Sequence, residues 1–249
     1  MVDKNFDIVV CVGPNDFDII NLSICYTKAN IIGYRNIYLV SSDPNININD
    51  AITIDEKIFP FLKTDLIDQF GKNERNGWYL QQLLKLYSGM VIPGILERYL
   101  VIDSDTFFLK PTTFITDEGR HYITIGTEYH KPYFVHMNRL HYSLKKIHPS
   151  SGISHHCFFH TIRVKGFMKL VENYFSNEKP FWKIFLDVID RSEFMGSGAS
   201  EYEMYFTYMH LYYPDEICVR ELNWENCSKL EPDCVTKYDF VSIHWHSRK

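Results

Sequence analysis

The stretch YLVIDSDTFFL at residues 99–109 constrains this chain more than any other. Four apolar residues run into Asp103, and Phe107, Phe108 and Leu109 follow Thr106, so the pattern reads as one buried strand interrupted by acid. Carboxylates in an interior are costly unless they are paired or coordinated, so such a strand is expected to meet a crevice that holds a cation. In an extended strand residues i and i+2 point to the same face, which makes Asp103 and Asp105 converge while Ser104 looks away. Two hard oxygen ligands with room for water suit Mg²⁺ or Mn²⁺, especially where a diphosphate supplies further oxygens.

On these residues the sequence resembles the nucleotide-sugar glycosyltransferases of GT-A fold, in a family-8-like manner. There an Asp-x-Asp motif follows an apolar strand and bridges metal to diphosphate. The resemblance implies that Asp103, Ser104 and Asp105 meet the donor and its ion. The segments before the motif agree with a nucleotide-binding half. Residues 6–13 (FDIVVCVG) read as a buried first strand closed by a turn at Gly13, Pro14, Asn15 and Asp16. Phe17, Ile20, Ile24 and Ile31 recur at near-helical spacing over residues 16–32, with Gly33 to close the helix, and residues 36–42 read as a second strand. Strand, helix and strand with short joints imply a right-handed βαβ unit in a parallel sheet. Ligands of such sheets lie outside the carboxyl ends of the strands, so Val12 and Gly13 are candidates for contacting base and ribose. Gly13 reads equally well as a plain turn.

Residues 43–50 read as an exposed loop and 51–54 as a short strand. Residues 77–87 predict an amphipathic helix with a stripe of Leu80, Leu83, Leu84 and Tyr87. Gln81 and Lys85 lie one turn apart on a neighbouring face, within reach of one phosphate or sugar; the plain alternative is a packed helix with a solvated lysine. A W-x-x-Q-Q-x-x-K-like helix just before the Asp-x-Asp strand is the second point of resemblance. Residues 122–127 read as another alternating strand.

Beyond residue 127 the composition shifts to histidine and aromatics, with His130, His136, His141 and His148. This second part resembles a donor-sugar and acceptor half. No flexible linker intervenes, so the expectation is one domain, residues 1–249, with a nucleotide half at 1–127 and a sugar and acceptor half at 128–249. In residues 152–160 (GISHHCFFH), read as a strand, Ser154, His156, Phe158 and His160 share one face while His155 and Cys157 share the other. The paired histidines resemble an S-x-x-x-H-H segment that lines sugar or acceptor, which nominates His156. Helices around 167–175 and 182–189 read as packing. Residues 196–203 (GSGASEYE) form a small-residue loop entering an aromatic helix at 204–212. Ser200 with Glu203 reads as a capping box, which leaves Glu201 the freer carboxylate and the first candidate for a general base, with Glu203 second.

Residues 238–243 read as the last strand, after which His244 and His246 point the same way from an extended segment. The resemblance implies a late histidine completing the metal site, and an imidazole ligand makes Mn²⁺ the preferred ion over Mg²⁺. A frayed terminus is the plain alternative.

Composition bounds the rest. The chain has 249 residues and is 45% hydrophobic, enough for one sizeable core. A net charge of -5 without any basic run argues against a nucleic-acid partner. Of the six cysteines, Cys11, Cys25 and Cys157 sit in apolar surroundings and read as reduced core residues. Cys218, Cys227 and Cys234 lie closer together, which leaves a disulfide or a zinc site open, but neither their spacing nor nearby histidines fit a known ligand pattern. Residues 1–5 do not resemble a signal peptide, and no apolar stretch reaches the ~20 residues of a membrane span. The expected location is cytoplasmic, with peripheral membrane contact left open.

The expected fold is α/β, of GT-A (Rossmann-like) type, with a mixed, mainly parallel sheet flanked by helices. The expected activity is metal-dependent transfer of a sugar, hexosyl transfer in class, from a UDP- or GDP-sugar to a glycan, lipid-linked or protein acceptor. One alternative is a catalytically silent protein of this fold that binds sugar nucleotide or glycan. Another is a phosphohydrolase of the haloacid dehalogenase type, disfavoured because Phe107 stands where that motif carries Thr or Val.

Overall fold

The structure, a computed structural model, describes residues 5–176 and 178–248. Its first part runs β1 (Phe6–Val12), α1 (Ile20–Asn30), β2 (Ile31–Ile32), β3 (Tyr34–Ser41), β4 (Ile52–Asp55), α2 (Lys63–Phe70) and α3 (Arg75–Val91). The middle contains β5 (Arg98–Asp103), β6 (Thr106–Phe108), β7 (Thr112–Thr113), β8 (His121–Thr124), α4 (Lys131–Leu140), β9 (His156–His160) and α5 (Thr161–Phe175). The last part holds α6 (Phe181–Asp187), α7 (Glu201–Tyr212), β10 (Ile217–Arg220), β11 (Trp224–Asn226), α8 (Pro232–Lys237) and β12 (Phe240–Ser242).

The main sheet has the order β4-β3-β1-β5-β9. The first four strands are parallel, and β9 pairs antiparallel with β5 as the far edge. This is the mixed, mainly parallel sheet flanked by helices that the apolar runs predict. Every residue of β1 is buried, as a strand covered on both faces requires. Alternation divides two cores. Val9, Cys11, Tyr99 and Val101 face a large cluster built with α3, α5, α6 and α7, whereas Ile8, Val10, Leu100 and Ile102 face a second cluster that includes Ile20 and Ile24 of α1. The larger cluster takes residues from both halves of the chain, from Val9 to Ile217.

Three differences from the sequence reading bear on the site. First, residues 99–109 are not one strand: β5 ends at Asp103, Ser104 and Asp105 form a turn, and β6 joins a separate sheet of order β11-β12-β6. Second, the strand expected over residues 122–127 is the shorter β8, His121–Thr124, which pairs with β10. Third, Cys25 is exposed on α1, so it is not a core residue. Among the described residues no helix is long and apolar enough to cross a membrane.

Helix α3 sits unusually close to β5 because of Gly89. A Cβ there would stand 2.5 Å from Cε1 of Tyr99 and would also strike the Thr161 hydroxyl. Tyr99 in turn donates its hydroxyl to the carbonyls of Lys85 and Leu86, at 3.2 and 3.1 Å, which fixes the helix over the strand. Helix propensity favours Ala over Gly by about 1 kcal/mol, whereas overpacking costs about 1–3 kcal/mol. Gly89→Ala is therefore expected to lower the urea midpoint, and a raised midpoint would contradict this close approach.

Candidate functional site

Parallel β1, β3 and β5 all end at one edge of the sheet, and antiparallel β9 begins there. The register pairs Cys11 with Asp103 and Ile102 with His156, and the Asp103 N–H donates to the His155 carbonyl at 2.9 Å. Asp103 is the hub of this edge. Its Oδ1 accepts from Lys85 Nζ at 2.6 Å and from the Tyr202 hydroxyl at 2.7 Å, and its Oδ2 lies 3.5 Å from His155 Nδ1. Lys85 also donates to Glu201 Oε1 at 2.8 Å, with its Nζ 4.4 Å from the centre of the Tyr202 ring. The Glu201 backbone N–H donates to Gln82 Oε1 at 3.1 Å, and Gln81 Nε2 donates to the Cys11 carbonyl at 2.9 Å. Helix α3 thus ties β1, β5 and the start of α7 together through Gln81, Gln82 and Lys85.

The electrostatics follow from burial. Burial alone would raise the Asp103 carboxyl, but the Lys85 charge and the hydrogen bond from His155 outweigh it and hold the group well below the usual carboxylate range. Burial works against the Lys85 ammonium, yet Asp103 and Glu201 together raise its pKa. Glu201 shares that lysine, and burial leaves it raised above the ordinary value.

Asp105 belongs to a second, adjoining group. Its Oδ2 is 2.9 Å from His244 Nδ1, and its Oδ1 accepts from the Ser242 hydroxyl at 3.1 Å. Pairing of β12 with β6 delivers these partners, because Ser242 stands opposite Thr106 and the Ile243 N–H donates to the Asp105 carbonyl at 2.9 Å. Ring centres of Trp224 and His155 are 4.9 Å apart, those of His155 and His244 5.1 Å, and those of His244 and His246 5.5 Å. The segment after His244 is pinned by Arg248, which donates to the carbonyls of Ile243 and Asn15 at 3.1 and 2.7 Å and pairs with Asp18 at 2.9 Å and with Asp16. Asp16 also accepts from the Ser104 hydroxyl at 2.5 Å. Side chains of Asp103 and His244 keep 22% and 30% of their surface exposed, so the edge is open on that side.

Asp105, His244 and Asp103 provide the hard oxygen and imidazole donors that suit Mn²⁺ or Mg²⁺. Asp105 Oδ2 and His244 Nδ1, hydrogen-bonded at 2.9 Å, would be the two donors to hold such an ion. Among the described residues no three His, Cys, Asp or Glu side chains group closely enough to hold an ion by themselves. The protein thus offers a pair, and the remaining positions would fall to water and ligand oxygens.

Other sequence candidates are placed differently. Val12 is buried and Gly13 half-buried at the end of β1. His246 is exposed and lies in a 3-10 turn, so His244 and His246 do not leave an extended strand, although their rings stack. His156 is 3% exposed, enclosed by the rings of Phe108, Phe114 and Phe240, and bonded to the Thr124 hydroxyl. Burial lowers its pKa to about 3. The residue that faces the aspartates is His155, turned toward them by a positive φ of 60°. Ser200 caps α7 by accepting from the Glu203 N–H, but the Glu203 carboxylate does not complete a capping box. It binds Lys146, the Ser151 hydroxyl and the Gly152 N–H instead. Glu201 and Glu203 are 3% and 1% exposed, so neither is a free carboxylate.

Tyr202, Gln82, His155, Ser242, Asp16 and Arg248 escape the sequence reading. Two of them carried a signal, His155 as the first histidine of the H-H pair and Gln82 as the second glutamine of the Q-Q pair. The Gln82 Nε2 is buried without a partner among the described residues, while its Oε1 holds α7.

An α/β protein with a carboxylate and histidine cluster at the carboxyl edge of its sheet is the class these observations define. The family DUF6492, described as a family of unknown function, matches residues 30–221, and the chain belongs to that family. No curated protein matches the sequence. Solved structures resemble it, among them these two. Mouse xyloside xylosyltransferase 1 in its apo form is 9% identical, with 98% of this chain and 99% of that chain covered and a TM-score of 0.49. An active-site mutant of LgtC is 10% identical, with 95% of this chain and 86% of that chain covered and a TM-score of 0.47.

Two measurements probe the cluster. Lys85→Met leaves the buried Glu201 and the partly exposed Asp103 carboxylates without their shared cation and is expected to cost about 3 kcal/mol in chemical denaturation. A loss below 1 kcal/mol would show that the pair does not hold the folded state. The hydrogen bond to Asp105 raises the His244 pKa above its ordinary 6.5 against partial burial. The His244–Asp105 pair therefore adds stability that is fully present below about pH 6.5 and is lost as pH rises through the raised folded value. In metal-free buffer the His244 NMR titration is expected to shift down in Asp105→Asn, and an unchanged midpoint would rule the pairing out.

Proposed function

We propose that this chain is a glycosyltransferase of GT-A type that takes its sugar from a nucleoside-diphosphate donor with Mn²⁺ or Mg²⁺ as cofactor. One observation carries this reading: Asp105 and His244 meet at 2.9 Å beside Asp103, where the parallel strands end. A cation there would be held by Asp105 and His244, with Asp103 beside them, and would supply Lewis-acid stabilisation of the leaving diphosphate. The residues of the chain have separate tasks. Lys85 and Tyr202 fix the Asp103 carboxylate, Val12 and Gly13 border the side on which base and ribose would lie, and His155 borders the donor sugar in place of His156. His246 is the exposed neighbour of His244 and a second candidate ligand.

Residues 1–127 are proposed to bind the nucleotide, and residues 128–249 to complete the sugar and acceptor side within a single domain. Hexosyl transfer to a glycan, lipid-linked or protein acceptor is the proposed reaction class. Glu201 is better suited to holding Lys85 in place than to accepting a proton from an acceptor, since its carboxylate is buried against that lysine. Glu203 is likewise committed to Lys146 and Ser151.

That commitment favours one second reading, a protein of the same fold that binds sugar nucleotide without transferring the sugar. Thermal denaturation with Mn²⁺ and a panel of UDP, GDP and their sugars tests the first part. A ligand at one hundred times its Kd stabilises by about 2.7 kcal/mol, which for a chain of this size is a rise of about 5–10 °C. At least one nucleotide is expected to give it and Asp105→Asn to abolish it; no shift across the panel would sink both readings. Slow donor hydrolysis that disappears in Asp105→Asn supports the enzyme, and equal background rates support the binding protein.

A further inference from the structure

Behind Asp105, on the side of β6 and β12 remote from the main sheet, lies a small third core of Phe107, Leu109, Val241 and Ile243. Two free cysteines share it. Cys234, in α8, is 6% exposed, and Cys227, just after β11, is half-buried against the same cluster. Both side chains pack in this one small cluster, and the Cys227 thiol lies within electrostatic reach of Cys234, although Cys227 follows β11 and Cys234 lies across a loop in α8. Neither the site nor the sheet contacts described above use either thiol.

The pair is also wired to the site. The Cys227 backbone N–H donates to the Ser242 carbonyl at 2.8 Å, and the hydroxyl of the same Ser242 donates to Asp105 Oδ1 at 3.1 Å. One residue further along is Ile243, whose N–H holds the Asp105 carbonyl, and then His244. A covalent change at Cys227 therefore lies one backbone hydrogen bond from the residue that orients Asp105.

We propose that Cys227 and Cys234 are a thiol-modification site, a dithiol that low-molecular-weight disulfides such as oxidised glutathione convert to an internal disulfide, and that this bond shifts the Asp105 and His244 pair. Cys227 is the more accessible thiol and reacts first. Its thiolate attacks one sulfur of glutathione disulfide, the sulfur–sulfur bond breaks, and one glutathione leaves as thiolate and takes up the proton that Cys227 released. The Cys234 thiolate then attacks the Cys227 sulfur of the mixed disulfide, and the second glutathione leaves with the proton from Cys234. Two protein thiols are oxidised and one glutathione disulfide is reduced to two thiols. Burial pushes the Cys227 thiol up to about 11, so thiolate is scarce at neutral pH and the exchange is slow.

The test incubates the full chain with oxidised glutathione at pH 8.5 for several hours and then counts alkylatable thiols by mass spectrometry with peptide mapping. The expected product has a Cys227–Cys234 bridge, with exposed Cys25 as a glutathione mixed disulfide and Cys11, Cys157 and Cys218 alkylated. Closing the loop between them is expected to raise the thermal midpoint by about 5 °C. Cys234→Ser should stop at a single glutathione on Cys227, whereas Cys25→Ser should leave the bridge unaffected. The His244 ring resonances should move between reduced and bridged protein. Cys227 and Cys234 both still alkylatable after incubation, or a bridge mapped elsewhere, would overturn the site; a bridge that leaves the His244 resonances in place would overturn its link to Asp105. None of these readouts depends on sugar transfer, so the result stands apart from the functional reading above.

Discussion

One buried ammonium governs this structure. Lys85 is 4% exposed and is the only cation that both Asp103 and Glu201 contact among the described residues. Removing it would leave the buried Glu201 and the partly exposed Asp103 without their shared cation, so the position of α3 over the sheet, the end of β5 and the start of α7 are fixed in relation to one another by a single side chain. The close approach at Gly89, one turn along the same helix, makes the reach of Lys85 to Asp103 possible. Gln81 and Gln82 then extend the tie to β1 and to α7.

Helix α7 shows how thoroughly the loop before it is anchored. A small-residue run suggests a mobile entry, yet its first turn is held from several sides. Ser200 accepts from the Glu203 N–H, Gln82 accepts from the Glu201 N–H, and each of the two glutamates has its own lysine. Both glutamates stand in the first turn of the helix. These acids brace the site, and Glu201, the freer carboxylate in the sequence, is in the structure paired with Lys85.

Much of the scaffold was legible in the chain. The run of apolar residues in β1, the Leu80, Leu83, Leu84 and Tyr87 stripe of α3, and the approach to Asp103 all obey local periodicity, which a sequence displays directly. The site was legible only in part. The reading of Asp103 and Asp105 on one face assumed a continuous strand, and the turn at Ser104 depends on the pairing of β6 with β12, more than 130 residues away. Tyr202 looks like any core aromatic until its hydroxyl is seen to reach Asp103. His155 faces Asp103 while His156 is buried because the left-handed conformation of His155 breaks the alternation just before β9. Arg248 and Asp16 meet through tertiary structure alone, and neither carries a local pattern that would announce it.

The pairing of Asp105 with His244 spans 139 residues of chain. Those two side chains are neighbours only once β12 has docked on β6, so an unfolded chain offers no comparable pair. Whatever bridges them acts as a reversible staple across most of the polypeptide, and its binding energy becomes folding energy by mass action. Occupancy of the sheet edge and endurance of the fold are, in this molecule, one equilibrium viewed from two ends.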